Sequence, residues 1–526
     1  MKLVYNILIV AAGMLLGGCS DFLERSAQDL VIPKTTAQYK EILQYEGYFQ
    51  RLVSSNGTYG FVTYMTDDIE LFDARTMPNA VASWVNEDSK VEPLSACYQW
   101  QENVEGINFV NTNYRYLYNQ VMVANICLLS VDDSEGTLEE KEILKGQASF
   151  SRAFAYLMLA NLYAKPYNKA QPDDLCVPLK DDFTPSLEVK SRATIEQVWN
   201  VITEDIEAAL KLLEDKKINN IHEISYPAAL VLATRIYLYK EDWAKAIECG
   251  EKFRALGRYP LHDISAETTS GDIRYTTRNN YADNVRKFLS VGNTEVAWTF
   301  GYNYVSGSTD VYRQAYTPST VSGATGNVCV YYRVSAKDPA TGIIWQYATG
   351  DRRKVYWFYA PPTPTTGVPT YRYDYITTKY ERTVNYLDGC FAFRAGEIYI
   401  SLAEAYARRG DAGDQAKAIE VLNELRVKRF DPSLYVALQA SDFGSDQALV
   451  DFIWQERRRE LCFEELHRWW DLRRTTQPQI VHQWKNSATY TLEAEDDAYV
   501  LQFPRAELDY NGSALEPNPR PNRPQD

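Results

Sequence analysis

Few residues in this chain are arranged for covalent chemistry. Its four histidines, at 222, 262, 467 and 482, are far apart and form no His-Glu-x-x-His pair, so a histidine-ligated hydrolytic metal centre has no motif. Cysteines 97, 127, 176, 249, 329, 390 and 462 are scattered, odd in number and without a Cys-x-x-Cys pair. They indicate neither a zinc site nor a disulfide framework. Glycoside hydrolysis would need two carboxyl groups about 5–9.5 Å apart, and among 70 acidic residues no motif marks such a pair. With 55 basic residues the net charge is −15, the wrong sign for a phosphate-neutralising surface, so nucleic acid is excluded as a partner. The abundant chemistry is aromatic: 39 Tyr and 11 Trp. A core alone does not call for so many phenols, because each buried hydroxyl needs a hydrogen-bond partner. Surfaces that grip flat, polar ligands do.

The eighth cysteine, Cys19, stands apart. Lys2 supplies a positive start, an apolar stretch too short to span a bilayer follows, and small residues precede the cysteine. Leu16-Gly17-Gly18-Cys19 resembles the lipobox of bacterial lipoproteins. That resemblance implies cleavage of residues 1–18 and a Cys19 carrying three acyl chains, which hold a protein on a membrane far better than a single chain does.

The elements that must position any site are helical. Periodicity near 3.6 runs through 36–51, 111–130, 138–163 and 194–213, the last opening on Thr194 and Gln197 as a capping box. Segments 111–130 and 138–163 read as an antiparallel pair, with Lys165-Pro166 stopping the second. Residues 226–256 read as a helix–turn–helix of tetratricopeptide type, and a similar pair recurs at 393–409 and 414–429, with Gly410 ending the first helix. Between them, 273–390 differs. It holds 16 Tyr, 3 Trp and 3 Phe, and only six of the 59 residues from 291 to 349 are charged. Short β-like runs such as 328–334 alternate with Gly, Ser, Thr and Pro, predicting loops and short strands set on the helical scaffold.

The run IWQERRRELCFEELHRWWDLRR over 453–474 closely resembles the signature helix of SusD/RagB-family outer-membrane lipoproteins. Further segments agree in the family's order: Cys19 with Phe22-Leu23-Glu24; Arg152-Ala153 with Lys165-Pro166-Tyr167 and Val177-Pro178-Leu179; Phe393 to Glu397 with Ala403-Glu404-Ala405, Leu422-Asn423 and Arg426; and Phe503-Pro504, Glu507, Asn511 and Asn518-Pro519. Glu465-Leu466 stands where many relatives have a single Gly. The charges of the signature suit helix locking rather than catalysis, with Glu464–Arg468 at i,i+4 and Glu456–Arg459 at i,i+3, and Leu461, Phe463 and Trp470 facing the core.

The resemblance implies a mainly α, SusD-like fold. After the signal at 1–18, residues 19–526 form one domain: a helical part at 19–272 with tetratricopeptide-like pairs, the aromatic insert at 273–390 forming the ligand face, and a helical part at 391–526. It implies a protein anchored in the outer membrane and facing the cell exterior, which binds oligosaccharide or polysaccharide and delivers it to a SusC-like TonB-dependent transporter. Catalytic residues, metal ligands and cofactors are not implied, and calcium has no motif. Ligand contacts in the family lie on loops, which singles out Trp84, Trp100, Trp298, Tyr302, Tyr304, Trp345 and Trp357, with Arg75, Asn86 and Asn303 as polar partners. Peptide capture of the RagB type, a lid that binds little by itself and a glycoside hydrolase are the alternatives.

Overall fold

The computed structural model describes residues 33–49, 59–73, 92–106, 110–183, 189–265, 288–289, 292–300, 330–359, 376–377, 379, 391–485 and 488–523. Cys19, Arg75, Trp84, Asn86, Tyr302, Asn303 and Tyr304 lie outside the described residues.

Helix α1 (Thr36–Ile42) starts at Thr35, whose hydroxyl accepts from the Gln38 amide. It widens into a π-helical turn, Leu43–Gly47, and the backbone turns extended at Tyr48, so the helix expected over 36–51 ends earlier. Helices α2 (Asn113–Ser130) and α3 (Leu138–Tyr163) pack together as a hairpin, as the periodicity predicts. From Leu144 onward nearly every side chain of α3 is buried, whichever way it points. A helix that is apolar all round belongs in the centre, and α4 (Ile195–Leu213) covers its other side. The capping box of α4 is present: the Thr194 hydroxyl accepts from the Gln197 amide, and the Gln197 side chain accepts from the Thr194 amide.

The helix–turn–helix is α5 (Tyr226–Tyr239) and α6 (Trp243–Ala255), with Asp242 capping the second helix. Helices α7 (Ala395–Arg409) and α8 (Asp414–Val427) form the later pair. Gly410 ends α7 in left-handed backbone (φ 72°), a conformation that suits a residue without a Cβ. Helix α7 packs against α5, α6 and α8, so the two pairs stack although some 140 residues separate them in sequence. Helix α9 (Asp446–Leu461) also lies on α7 and is followed by α10 (His467–Arg474). The signature run is therefore two helices. Phe463 and Glu465 carry positive φ (58° and 44°), which no continuous helix tolerates.

Described strands pair two by two, all antiparallel: β1 (Ile69–Asp73) with β3 (Val330–Val334), β2 (Val296–Phe300) with β6 (Phe391–Arg394), β4 (Phe358–Tyr359) with β5 (Ile376–Thr377), and β7 (Ile480–Gln483) with β8 (Thr489–Leu492). Strand β3 realises the β-like run expected at 328–334. It pairs with β1 from the early chain and β2 with β6 just before α7, so the described part of the insert is tied to the scaffold at two places. No described helix is long and apolar enough to cross a membrane.

Three candidate platform rings are core, which corrects the sequence expectation. Trp298 is fully buried, edge-on to Tyr48, Phe49, Phe150 and Phe393, and its indole N–H donates to the His222 carbonyl (3.3 Å). Trp100 is fully buried, stacked on His482 with ring centroids 4.1 Å apart, and donates to the Met65 carbonyl (3.0 Å). Trp357 is 1% exposed and lies against the Lys379 ammonium, 3.8 Å from the ring centroid. In each case the ring fills space between scaffold elements and offers no face to a ligand. Replacing Trp298 by Ala is expected to cost about 3–5 kcal/mol of stability, read as a lowered urea midpoint, because no neighbour can collapse into so large a void.

Candidate functional site

Most charges of the signature run 453–474 are buried inside the protein. Glu460 has no exposed surface and accepts from Arg394 Nη1 (2.8 Å), Arg429 Nη2 (2.9 Å) and Arg353 Nη1 (3.1 Å). Arg394 also donates to Glu295 (2.8 Å) and Glu464 (2.8 Å), and Arg429 to Glu295 (2.6 Å). Arg353 is held further by Asp351 (2.6 Å) and Glu456 (2.6 Å), and Lys379 donates to Glu464 (2.7 Å). With Arg459 on Glu456 (2.7 Å), five cations meet Glu295, Asp351, Glu456, Glu460 and Glu464. A second cluster joins Arg235 to Glu397 (2.7 Å) and Glu465 (2.7 Å). A third joins Arg458 to Asp68 (2.8 Å) and Arg468 to Asp67 (2.7 Å), linking the C-terminal helices to the start of β1.

Two expectations separate here. Glu456 and Arg459 pair within α9 as their spacing predicts. Glu464 and Arg468 do not pair, because the positive-φ break turns Glu464 to Lys379 and Arg394, while Arg468 reaches Asp67. Burial alone would raise the pKa of Glu456, but Arg353 and Arg459 outweigh it and hold the carboxyl at about 2. Glu404 is likewise held at about 2, against its burial, by Arg474. Glu465 goes the other way: burial prevails over Arg235 and pushes it up to about 7. All three carboxyls are buried and paired with guanidiniums.

One described candidate is open to solvent. Trp345 is 47% exposed and sits on a ledge that follows β3. The ledge is anchored from beneath. The Glu70 carboxylate on β1 accepts from Arg333 Nε (2.6 Å) and from the amides of Ala336 (3.1 Å) and Lys337 (2.9 Å). Asp338 accepts from the Ala340 amide (2.9 Å) and the Thr341 hydroxyl (2.7 Å), closing the turn. Ile343 and Ile344 are fully buried, fixing the 3-10 turn Ile343–Gln346 to the core. The indole N–H of Trp345 donates to the Ala336 carbonyl (2.7 Å), so the ring is held at its edge while nearly half its surface stays open.

The ionic core reaches the ledge. Arg459 donates to the Gln346 carbonyl (3.2 Å), and the Tyr347 hydroxyl donates to the Arg459 carbonyl (2.9 Å). On the neighbouring turn, Arg353–Tyr356, the half-buried Lys354 places its ammonium 4.9 Å from the Trp345 ring centroid. Sequence reasoning named Trp345 and missed Lys354. The signal was the basic triplet Arg352-Arg353-Lys354, just after a stretch almost without charge. Among the described residues no group of His, Cys, Asp and Glu gathers to hold a metal ion. A fixed, exposed indole with an ammonium close to its ring suits ligand binding, with apolar contact on the open part of the ring and charge beside it.

Two family models match the chain. One, described as SusD-like and starch-binding, associating with outer membrane, matches residues 22–238; the other, described as the SusD family, matches residues 360–520. None of the curated proteins compared matches. Among solved structures, a SusD superfamily protein from Bacteroides thetaiotaomicron is similar at 19% identity, over 92% of this chain and 100% of that one, with a TM-score of 0.68. A SusD superfamily protein from Bacteroides vulgatus is similar at 19% identity, over 93% and 99%, with a TM-score of 0.67. A SusD-like carbohydrate binding protein from Bacteroides vulgatus is similar at 20% identity, over 91% and 97%, with a TM-score of 0.62. At these identities the likeness is one of fold, and the fold is the mainly helical one expected.

Two measurements test the ionic core. A Cβ at Gly396 would collide with Arg394 Nη1 and approach Glu460 Oε1 to 2.7 Å, whereas one at Gly444 would meet open space. Gly396→Ala is therefore expected to lower the unfolding free energy measured by urea titration by about 3 kcal/mol or more, as when a buried ion pair is broken, and Gly444→Ala to leave it within about 0.5 kcal/mol. For pH, Glu404 and Glu456 have folded pKa values depressed below those of the unfolded chain, so their stabilisation is full above about pH 4.5 and is lost as pH falls toward 2. Each is worth roughly 3 kcal/mol. The raised Glu465 runs oppositely, its contribution being lost as pH rises from 4.5 through 7. Buried His467 and His482, held below the usual histidine range, the latter at about 4, take stability away as pH falls below 6.5 and so oppose Glu465, and the expected urea midpoint drops most steeply below pH 4.5.

Proposed function

The chain belongs to the SusD family, and we propose on that premise that it is a cell-surface lipoprotein, anchored in the outer membrane through Cys19, that captures oligosaccharide or polysaccharide and passes it to a SusC-like TonB-dependent transporter. The observation that carries the binding half is Trp345. A pyranose has apolar C–H faces that lie flat on an indole, and its hydroxyls find partners at the rim. An indole locked by its own N–H and by two buried isoleucines loses little freedom when the sugar arrives. Each sugar–ring contact is modest, so affinity comes from several rings along an oligomer and from holding ligand and transporter together. Trp84, Tyr302 and Tyr304 remain the sequence's candidates for further rings, and Arg75, Asn86 and Asn303 for polar partners.

Three things support this reading. The matched family is described as starch-binding and associating with the outer membrane. One structural relative at 20% identity is titled a carbohydrate binding protein. The lipobox-like Leu16-Gly17-Gly18-Cys19 supplies the anchor. The role is binding and hand-over, with no bond to break and no cofactor required.

Affinity gels and calorimetry against a panel of plant and host polysaccharides test the proposal. Trp345→Ala is expected to weaken the glycan bound by the parent protein tenfold or more, about 1.4 kcal/mol, with an unchanged melting temperature. Unchanged affinity for every bound glycan would remove Trp345 from the platform, and selective binding of peptides would move the protein to the RagB type.

A further inference from the structure

Lys354 differs from many of the described lysines. Lys145 pairs with Asp132, Lys252 with Glu248, Lys417 with Glu420 and Lys428 with Asp263. In the triplet 352–354, Arg352 pairs with Asp431 (2.9 Å), and Arg353 is locked by Asp351, Glu456 and Glu460. Lys354 has no acidic partner among the described residues; its contact is the Trp345 ring. The ledge's own carboxylate, Asp338, is spent on the Ala340 amide and the Thr341 hydroxyl. In a chain with net charge −15 this is an ammonium left unneutralised beside an exposed aromatic face.

We propose that the Trp345 ledge selects an acidic sugar, a hexuronate whose ring lies on the indole and whose carboxylate pairs with Lys354. The inference rests on the reading of the ledge as a sugar platform and adds the charge class of the ligand. A uronate carries its carboxylate at the ring edge, so a pyranose stacked on the open surface of Trp345 brings that group within reach of the Lys354 ammonium, which rests over the ring 4.9 Å from its centroid. The lysine stem is flexible enough to turn its ammonium from ring to carboxylate without moving the backbone. The backbone itself is held, because the next residue toward the N-terminus, Arg353, is fixed by three carboxylates. Half-burial removes part of the ammonium's hydration and lowers its pKa, a cost that an arriving carboxylate offsets. A neutral sugar does not.

The test uses matched probes. The purified protein is titrated by calorimetry with oligosaccharides of galacturonate, of guluronate and mannuronate, and of glucuronate, and with the same oligosaccharides after methyl esterification. Neutral glycans run alongside. The expected result is at least a tenfold preference for one acid over its own ester, shrinking in 0.5 M salt. Lys354→Met is expected to bring that ratio to about one while keeping the ester's affinity and the melting temperature. Trp345→Ala is expected to weaken acid and ester alike. Esters or neutral glycans bound as tightly as the acids, or a preference that survives Lys354→Met, would overturn the acidic-sugar inference and leave glycan capture standing. Binding of no glycan, acidic or neutral, would overturn both.

Discussion

Glu460 is fully buried with three guanidiniums around it, and the rest of the molecule is arranged so that this is tolerable. Its partners come from residues 353, 394 and 429, and each carries the contact outward to Asp351 and Glu456 or to Glu295 and Glu464. A buried ion costs several kcal/mol of lost hydration, which only a full set of opposite charges and hydrogen bonds offsets. Here the set is balanced, five cations to five carboxylates, and it fixes relative position. A loop that supplies Arg353, a strand end that supplies Arg394 and a helix that supplies Glu460 have one arrangement in which every charge is met. The Trp345 ledge inherits that precision through Arg459, which both completes the core and bonds the ledge backbone.

The aromatic surplus follows from the same constraint. Many rings are partners for buried cations. Phe393 lies 4.6 Å from the Arg235 guanidinium, Phe288 5.0 Å from Arg394, and Trp357 3.8 Å from the Lys379 ammonium. An aromatic face offers such a cation both apolar contact and attraction. The phenols find acceptors too: Tyr118 donates to the Pro178 carbonyl (2.6 Å) and Tyr237 to Glu207 (2.8 Å). High aromatic content thus reports a charged interior at least as much as a ligand surface.

Most of the scaffold was legible in the sequence because its signals are local. Capping at Thr194, the stop at Lys165-Pro166 and the turn at Gly410 each act within one helical turn, and the structure has all three. The platform was less legible. Trp298, Trp357 and Trp345 share one segment of similar composition, and what separates the two buried rings from the open one is long-range: Trp298 meets Phe150 and Phe393, while among the described residues Trp345 is held by its own loop and lies against Lys354. The Glu464–Arg468 pairing failed for a different reason. Spacing arguments assume a continuous helix, and the break rests on Phe463 and Glu465 in left-handed backbone, where neither residue type announces it. The sequence carried one hint, since Glu465-Leu466 stands where related chains place a glycine.

The order in which the ionic core is supplied bears on how the chain acquires its shape. Arg235 and Glu295 emerge early in synthesis, Arg394 and Arg429 later, and Glu460, Glu464 and Glu465 later still; β1 waits for β3, more than 250 residues on. Until the last acids arrive, closing the ionic core would strand bare guanidiniums away from water, so its early burial is opposed by the missing counter-charge rather than rewarded. Closure of the ionic core is therefore favoured only when nearly the whole length of the chain is present. For a chain whose beginning resembles an export signal, that delay keeps it threadable through a narrow translocation pore for as long as threading lasts.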